Sequence, residues 1–400
     1  MKKILPIIFM LCFLNAGIFD TKKQILSDIQ PAKVKYIEPL AITCNNLCLN
    51  DMLNNGMYLS FLANYNEKYS NENLDNIYAK LLNSITDFFL KSQKHKKVKI
   101  ALIIPHKMMK SLSSQAINSS LAYLIKKQDN ISFKVFLTDD DSKTNMQKAI
   151  NEIKNNDYFV VISINTKDGA QILAKELDNQ VLYFPNLNKE DTDIMSQNVK
   201  FGGINYDLQL NALLEISDDK LAIITDKDTL FQRLNDKLNE KTHSQIYTIT
   251  KNPNQNLMNV LNDNKNLNDA NIFLNLKIVD ASLFASQMRA YDVQPKSLLA
   301  TQVIFHPALL RISQSEDLSQ LYIANSLESL DDELNYINEF LGINLNYNWI
   351  AYSVSAGLDN IYSQHFGDKT RYFENNFIDN SLMYPVYIYK VRNKSFYKFK

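Results

Sequence analysis

Lys97-Val98-Lys99-Ile100-Ala101-Leu102-Ile103-Ile104-Pro105 is a short apolar run of β type. It is followed near 111–128 by a segment in which Ile117, Leu121, Leu124 and Ile125 recur at helical spacing. The same unit repeats from there to the C-terminus. Strand 131–137 leads to helix 144–156, strand 158–164 to helix 168–178, and strand 180–184 ends a first series. After Val199-Lys200-Phe201 and Gly202-Gly203, helix 207–216, strand 220–225, helix 228–241, strand 245–250, helix 255–263, strand 271–279 and helix 281–290 form a second. Strict alternation specifies parallel strands covered by helices on both faces. Two such series, joined by right-handed crossovers, predict an α/β protein of two doubly wound parallel sheets. The cleft of such a bilobed protein lies at the carboxyl ends of its strands, where open α/β sheets place ligands.

Upstream of this region the first 17 residues read as a secretory signal. Lys2 and Lys3 precede an apolar stretch from Ile4 to Leu14 that ends at Asn15-Ala16-Gly17 and is shorter than the ~20 residues needed to span hydrocarbon. The expected mature protein is periplasmic and soluble, with membrane contact only if the signal stays uncleaved or Cys12 is lipidated. Phe9-Met10-Leu11 before Cys12 lacks the small residue that lipoprotein signals place there.

Lys and Arg number 43, as do Asp and Glu, so no global field holds nucleic acid or an anionic membrane. At 400 residues and 46% hydrophobic content, the chain can bury one large or two modest cores. Beyond the signal only Cys44 and Cys48 remain; in an oxidising compartment the reading is a disulfide, most easily across a turn at Asn45-Asn46. Free thiols, or redox or metal chemistry, are the alternatives, and a thiolate metal site would need two further ligands.

Residues 18–96 are expected to form an N-terminal helical unit of two antiparallel helices between about Leu49 and His95. Met52, Leu53, Tyr58, Leu59, Phe61 and Leu62 give one apolar face. Leu74, Ile77, Leu81, Leu82, Ile85, Phe88 and Phe89 give another, with a break at Tyr69-Ser70-Asn71-Glu72-Asn73. Packing on each other or on the next domain would bury both faces; docking of another protein is the sharper alternative. Basic residues 91–97 make a linker, and the main domain is 97–400, with lobe 1 about 97–200 and lobe 2 about 201–320, each completed by late segments. At the C-terminus Tyr384, Tyr387, Tyr389, Phe396, Tyr397 and Phe399 alternate with polar residues around Asn393-Lys394, the pattern of an antiparallel hairpin.

Several local sequences, taken in order, resemble type I periplasmic binding proteins and, within them, the LpoA-type penicillin-binding-protein activators. These are Ile100-Ala101-Leu102-Ile103-Ile104-Pro105, Val160-Val161-Ile162-Ser163 with Asp168-Gly169-Ala170, Phe201-Gly202-Gly203-Ile204-Asn205, Gln320 to Ser326, and Trp349-Ile350-Ala351-Tyr352 through Gly357-Leu358-Asp359. The resemblance implies a bilobed fold and a non-enzymatic scaffold or regulatory role on a cell-envelope partner such as a peptidoglycan synthase. The alternative it implies is a receptor closing on a small polar ligand such as an amino acid or peptide. Members that bind amino acids carry a Gly-Pro turn and a serine after the third strand; this chain has Ser163-Ile164-Asn165-Thr166. Under this topology His106, Ser163, Asn165, Thr166, Asp226 and His306 sit at strand ends facing the cleft. Each has a plainer reading as a loop residue or helix cap, as at His306-Pro307.

No nucleophile elbow, phosphate-binding glycine loop, dinucleotide fingerprint, His-Glu-x-x-His or Cys-x-x-Cys occurs. With 8 glycines, phosphate cradles are hard to build. No enzyme activity, cofactor or metal is therefore expected, and the runs Asp139-Asp140-Asp141, Asp218-Asp219 and Asp331-Asp332-Glu333 are read as solvated turns and helix starts.

Overall fold

The structure is a computed structural model describing residues 44–89, 98–128, 131–218, 220–242, 244–249, 253–262, 264–328, 331–366 and 370–400. The signal (1–17), Cys12 and the linker at 91–97 lie outside the described residues. The opening apolar run becomes β1 (Val98–Pro105), buried from Ile100 onward because helices cover both of its faces. It pairs in parallel with β2 (Ile131–Thr138) on one side and β3 (Val160–Ser163) on the other, so that Ile100 lies between Phe133 and Val160. With β4 (Val181–Phe184) and β5 (Val199–Phe201) the sheet runs β2-β1-β3-β4-β5.

The second series repeats this order. Strands β6 (Leu221–Thr225), β7 (Gln245–Thr248), β8 (Asn271–Asn275), β9 (Ser297–Ala300) and β10 (Leu321–Asn325) run β7-β6-β8-β9-β10. Each sheet thus reverses direction between its first and third strands, the topological switch point of an open α/β sheet. Strands β11 (Phe377–Ile378) and β12 (Ser381–Leu382) extend the first sheet. Strands β13 (Tyr387–Arg392) and β14 (Ser395–Lys398) extend the second antiparallel to β10, giving two mixed, mostly parallel sheets of seven strands each. The aromatic C-terminal stretch is therefore two hairpins, one for each lobe. Asn393 and Lys394, both at positive φ, turn the larger one. Tyr384 lies outside it, buried on the chain crossing between lobes.

Helices α1 (Asn46–Asn54), α2 (Tyr58–Asn64) and α3 (Glu72–Phe89) precede β1. Helices α4 (His106–Met109), α5 (Ser111–Lys127), α6 (Lys143–Lys154) and α7 (Lys167–Glu176) follow the strands of lobe 1. Lobe 2 carries α8 (Tyr206–Leu214), α9 (Thr229–Lys241), α10 (Pro253–Leu261), α11 (Asn264–Leu267), α12 (Ile278–Ala290) and α13 (Pro307–Ile312). The chain then returns to lobe 1 with α14 (Asp332–Phe340) and α15 (Trp349–Phe366). Strand β8 stops at Asn275, short of the expected 279: its side chain turns to Asn235 and the backbone enters α12 through Lys277.

The N-terminal segment departs from two long helices. Its first helix stops at Asn54, where Gly56 takes φ +67° and the Gly56 and Met57 amides bond back to Leu53 and Met52, a glycine-capped C-terminus. Leu59 consequently points outward. Leu49, Phe61, Leu74, Tyr78, Leu81 and Leu82 join the same hydrophobic core as Ile100, Leu102, Ile117 and Leu121 of lobe 1. Helix α3 lies along β2, the outer strand of the sheet, and covers an edge that would otherwise be open. Cys44 and Cys48 are joined in a disulfide, with Asn45 between them capping α1.

Candidate functional site

In lobe 1 the switch point lies between the ends of β1 and β3. The chain leaves β3 through Ser163, whose hydroxyl donates to the Ile103 carbonyl at 2.8 Å and is fully buried. Asn165 is also fully buried: its backbone exchanges bonds with the Asn186 amide at 3.3 and 2.8 Å, and its Oδ1 has no partner among the described residues. Thr166 caps α7, its hydroxyl accepting from the Gly169 amide. That helix start is where an open sheet offers backbone N–H groups and a positive dipole end to an anionic ligand. Here Asp141, from the β2–α6 turn, covers it. The Asp141 carboxylate accepts from the Thr166 hydroxyl and, at 3.3 Å, from the Thr166 amide. Gly169 lies so close that a Cβ there would stand 2.6 Å from Cβ of Asp141.

The lobe 2 switch point is similarly committed. Asp226 Oδ1 accepts from the Asp228 amide at 2.7 Å and shapes the turn into α9. Behind it, Asn275 donates to Asn235 at 2.7 Å and Asn235 to the Thr225 hydroxyl at 3.0 Å, a buried polar chain. His306 caps α13, its Nδ1 accepting from the Ala308 amide at 3.1 Å, and burial together with nearby Arg311 lowers its pKa. His306 also meets the Tyr347 ring edge-on. The structure therefore brings Ser163, Asn165 and Thr166 together on one loop, with Asp226 and His306 on separate turns of the other lobe. Of the six, His106 lines a cavity described below; its Nδ1 lies 2.9 Å from the Thr138 carbonyl.

Between the lobes, Arg233 of α9 bonds Asp191 at 2.9 Å beside a gap of about 20 Å³, roughly the space of one water. Tyr347, from the segment preceding α15, inserts against Phe305 and Phe396 of lobe 2. The chain crossings between the lobes at Gly202 and Tyr384 are tied together: the Tyr384 hydroxyl donates to the Gly202 carbonyl, as does the Ser353 hydroxyl of α15.

Sequence reasoning missed a cavity of about 390 Å³ between the N-terminal segment and the carboxyl ends of β1 and β2. Its walls carry Glu67, Glu72 and Asp75 on one side and His106, Lys107 and Lys110 on the other. Burial pushes the Glu67 carboxyl up to about 8, and Asp75 adds to the shift while Ser113 and Ser114 oppose it. The only sign of this site in the sequence was the break at residues 69–73, because residues distant in the chain, from 67–76, 106–110 and 137–139, build it. Among the described residues no group of His, Cys, Asp and Glu is placed to hold a metal ion, and no helix is long and apolar enough to cross a membrane.

No protein-family model matches the chain, and no curated protein matches its sequence. Solved structures do match. Full-length LpoA from Haemophilus influenzae aligns over 88% of this chain and 65% of its own, at TM-score 0.52 and 10% identity. An amino acid ABC transporter substrate-binding protein from Pseudomonas fluorescens Pf-5 aligns over 76% and 95%, at TM-score 0.52 and 13% identity. The chain spans 59% of an extracellular ligand binding receptor from Desulfohalobium retbaense, covering 76% of itself, at TM-score 0.49 and 13% identity. Both sheets in the switch-point order and the two likenesses at TM-score 0.52 agree: the chain has the bilobed fold of type I periplasmic binding proteins, the fold it shares with LpoA.

Proposed function

We propose that this chain is a non-enzymatic, exported protein of the periplasm that acts as a scaffold or regulator by touching another cell-envelope protein. A peptidoglycan synthase is the partner suggested by the resemblance to LpoA-type activators. The observation that carries this reading is Asp141 over the first turn of α7, which puts the chain's own carboxylate where a receptor of this architecture would hold a ligand anion. The contact of Arg233 with Asp191 and the Tyr347 insertion support it, because both are direct side-chain contacts between the lobes. Leu49, Phe61, Leu74, Tyr78, Leu81 and Leu82 of the N-terminal segment are buried in the lobe 1 core, and we assign the partner surface to the outer faces of the lobes.

The test pairs two measurements. Small-angle scattering of the protein with amino acids, dipeptides and muropeptides is expected to show an unchanged radius of gyration. Reciprocal affinity capture with purified peptidoglycan synthases is expected to recover a complex. A solute that closes the lobes, and so lowers the radius of gyration, would replace this reading with a solute receptor.

A further inference from the structure

The 390 Å³ cavity lies outside the cleft between the lobes, and its charges are arranged in two opposed walls. On the lobe 1 side Lys107 is committed to Asp139 at 2.7 Å, whereas Lys110 has no ion-pair partner among the described residues. On the facing wall Asp75 is occupied by the Tyr65 and Ser70 hydroxyls at 2.7 and 2.6 Å. Glu67 and Glu72 have no ion pair among the described residues. With Glu67 holding its proton in the empty cavity, the carboxylates Glu72, Asp75 and Asp139 still outnumber the ammonium groups of Lys107 and Lys110 by one, so the cavity favours a ligand of net positive charge. Its volume falls at the lower end of small-ligand pockets, about 300–1,000 Å³. A half-buried carboxyl such as Glu67, lacking a cation, gains from an ammonium that restores its charged form.

We propose that this cavity is a binding site for a small dibasic amino acid, with its ammonium groups at Glu67 and Glu72 and its carboxylate at Lys110. Two ammonium groups meet the two uncommitted carboxylates, and one carboxylate meets the uncommitted lysine. The site joins the N-terminal segment to lobe 1, so an occupant bridges both without altering the angle between the lobes. It is independent of the envelope-partner reading: binding here leaves the radius of gyration unchanged, whereas a cleft ligand that refutes that reading lowers it.

The experiment is calorimetric titration of the full chain with three probes. L-lysine carries all three groups, cadaverine lacks the carboxylate and L-norleucine lacks the second ammonium. L-lysine is expected to bind, with cadaverine and L-norleucine each weaker by about tenfold, the effect of one lost charge-assisted hydrogen bond. Glu72→Gln and Lys110→Ala, both at exposed positions, are expected to weaken L-lysine by a similar factor, and Lys110→Ala to bring L-lysine and cadaverine to parity. Absence of saturable L-lysine binding overturns the proposal, as does L-lysine binding that both variants leave unchanged.

Discussion

Gly357 offers a sharp test of how the crossings are locked. It lies within α15, and an added Cβ would stand 2.1 Å from Cζ of Tyr183, 2.2 Å from its hydroxyl oxygen and 2.4 Å from Cε1. That ring cannot retreat cheaply: Tyr183 is fully buried, and its hydroxyl donates to the Ser353 carbonyl at 2.6 Å. Ser353 in turn donates to the Pro185 and Gly202 carbonyls at 2.9 and 2.8 Å. For Gly357→Ala, helix propensity contributes about 1 kcal/mol of stabilisation. Overpacking costs about 2 kcal/mol and displacing a buried hydroxyl from its acceptor about 2 kcal/mol more. The expected outcome is a net loss of about 3 kcal/mol, read by urea unfolding as a lower midpoint at unchanged slope. In a Tyr183→Ala background the clash is gone, and the same substitution is expected to stabilise by about 1 kcal/mol. If Gly357→Ala alone matches or exceeds the parent in stability, the ring is not pinned and the crossings are not locked in this way.

Three further outcomes follow from individual groups. Glu67 is pushed from 4.5 to about 8, so the folded protein holds a proton there that the unfolded chain releases, and stability falls as pH rises between those values. Allowing for solvent at its exposed side, the loss is on the order of 1–2 kcal/mol; chemical unfolding at pH 5 and pH 8.5 should show it, and Glu67→Gln should remove it. Asp359 is fully buried and accepts from Arg371 Nε at 3.0 Å and from the Tyr372 and Phe373 amides at 3.2 and 3.3 Å. Arg371→Met should cost about 3 kcal/mol by stranding that carboxylate, with Asp359→Asn in the same chain recovering part of the loss. Reducing the Cys44–Cys48 bond releases a small loop and should lower stability by about 2 kcal/mol, while thiol counting on the unreduced protein should find the pair blocked.

What was legible in the sequence is what local periodicity controls. The apolar run at Ile100–Ile104 could only be a strand covered on both faces, and the helices at 111–127 and 143–154 carried their inward residues at helical spacing. The hairpin turn at Asn393-Lys394 was equally local. The two short strands at Phe377–Ile378 and Ser381–Leu382 were not, because two residues carry no period and their pairing with Phe201 is set by the crossing. The candidate residues show the same division. Thr166 and His306 could be recognised as helix caps from the residues that follow them. The engagement of Thr166 by Asp141, 25 positions earlier, and the placing of Glu67 and Lys110 in the walls of one cavity depend on tertiary contacts that no local pattern encodes.

The carboxylate at Asp141 decides more than local geometry, because it sets the sign of the field at the lobe 1 switch point. A helix start stabilises an anion by about 0.3–1 kcal/mol, and by about 2 kcal/mol where partly buried. An incoming ligand carboxylate about 4 Å from Asp141 would meet a repulsion of about 4 kcal/mol at the effective dielectric near a protein surface. The repulsion exceeds what the helix returns, and moving Asp141 aside would forfeit its bonds to the Thr166 hydroxyl and amide. In lobe 2, the Asn275 and Asn235 amide groups donate to Asn235 and Thr225, and Asn275 Oδ1, which has no partner among the described residues, is an acceptor, so these residues supply little to offset the deficit. An acidic solute is therefore disfavoured at the lobe 1 switch point on electrostatic grounds alone.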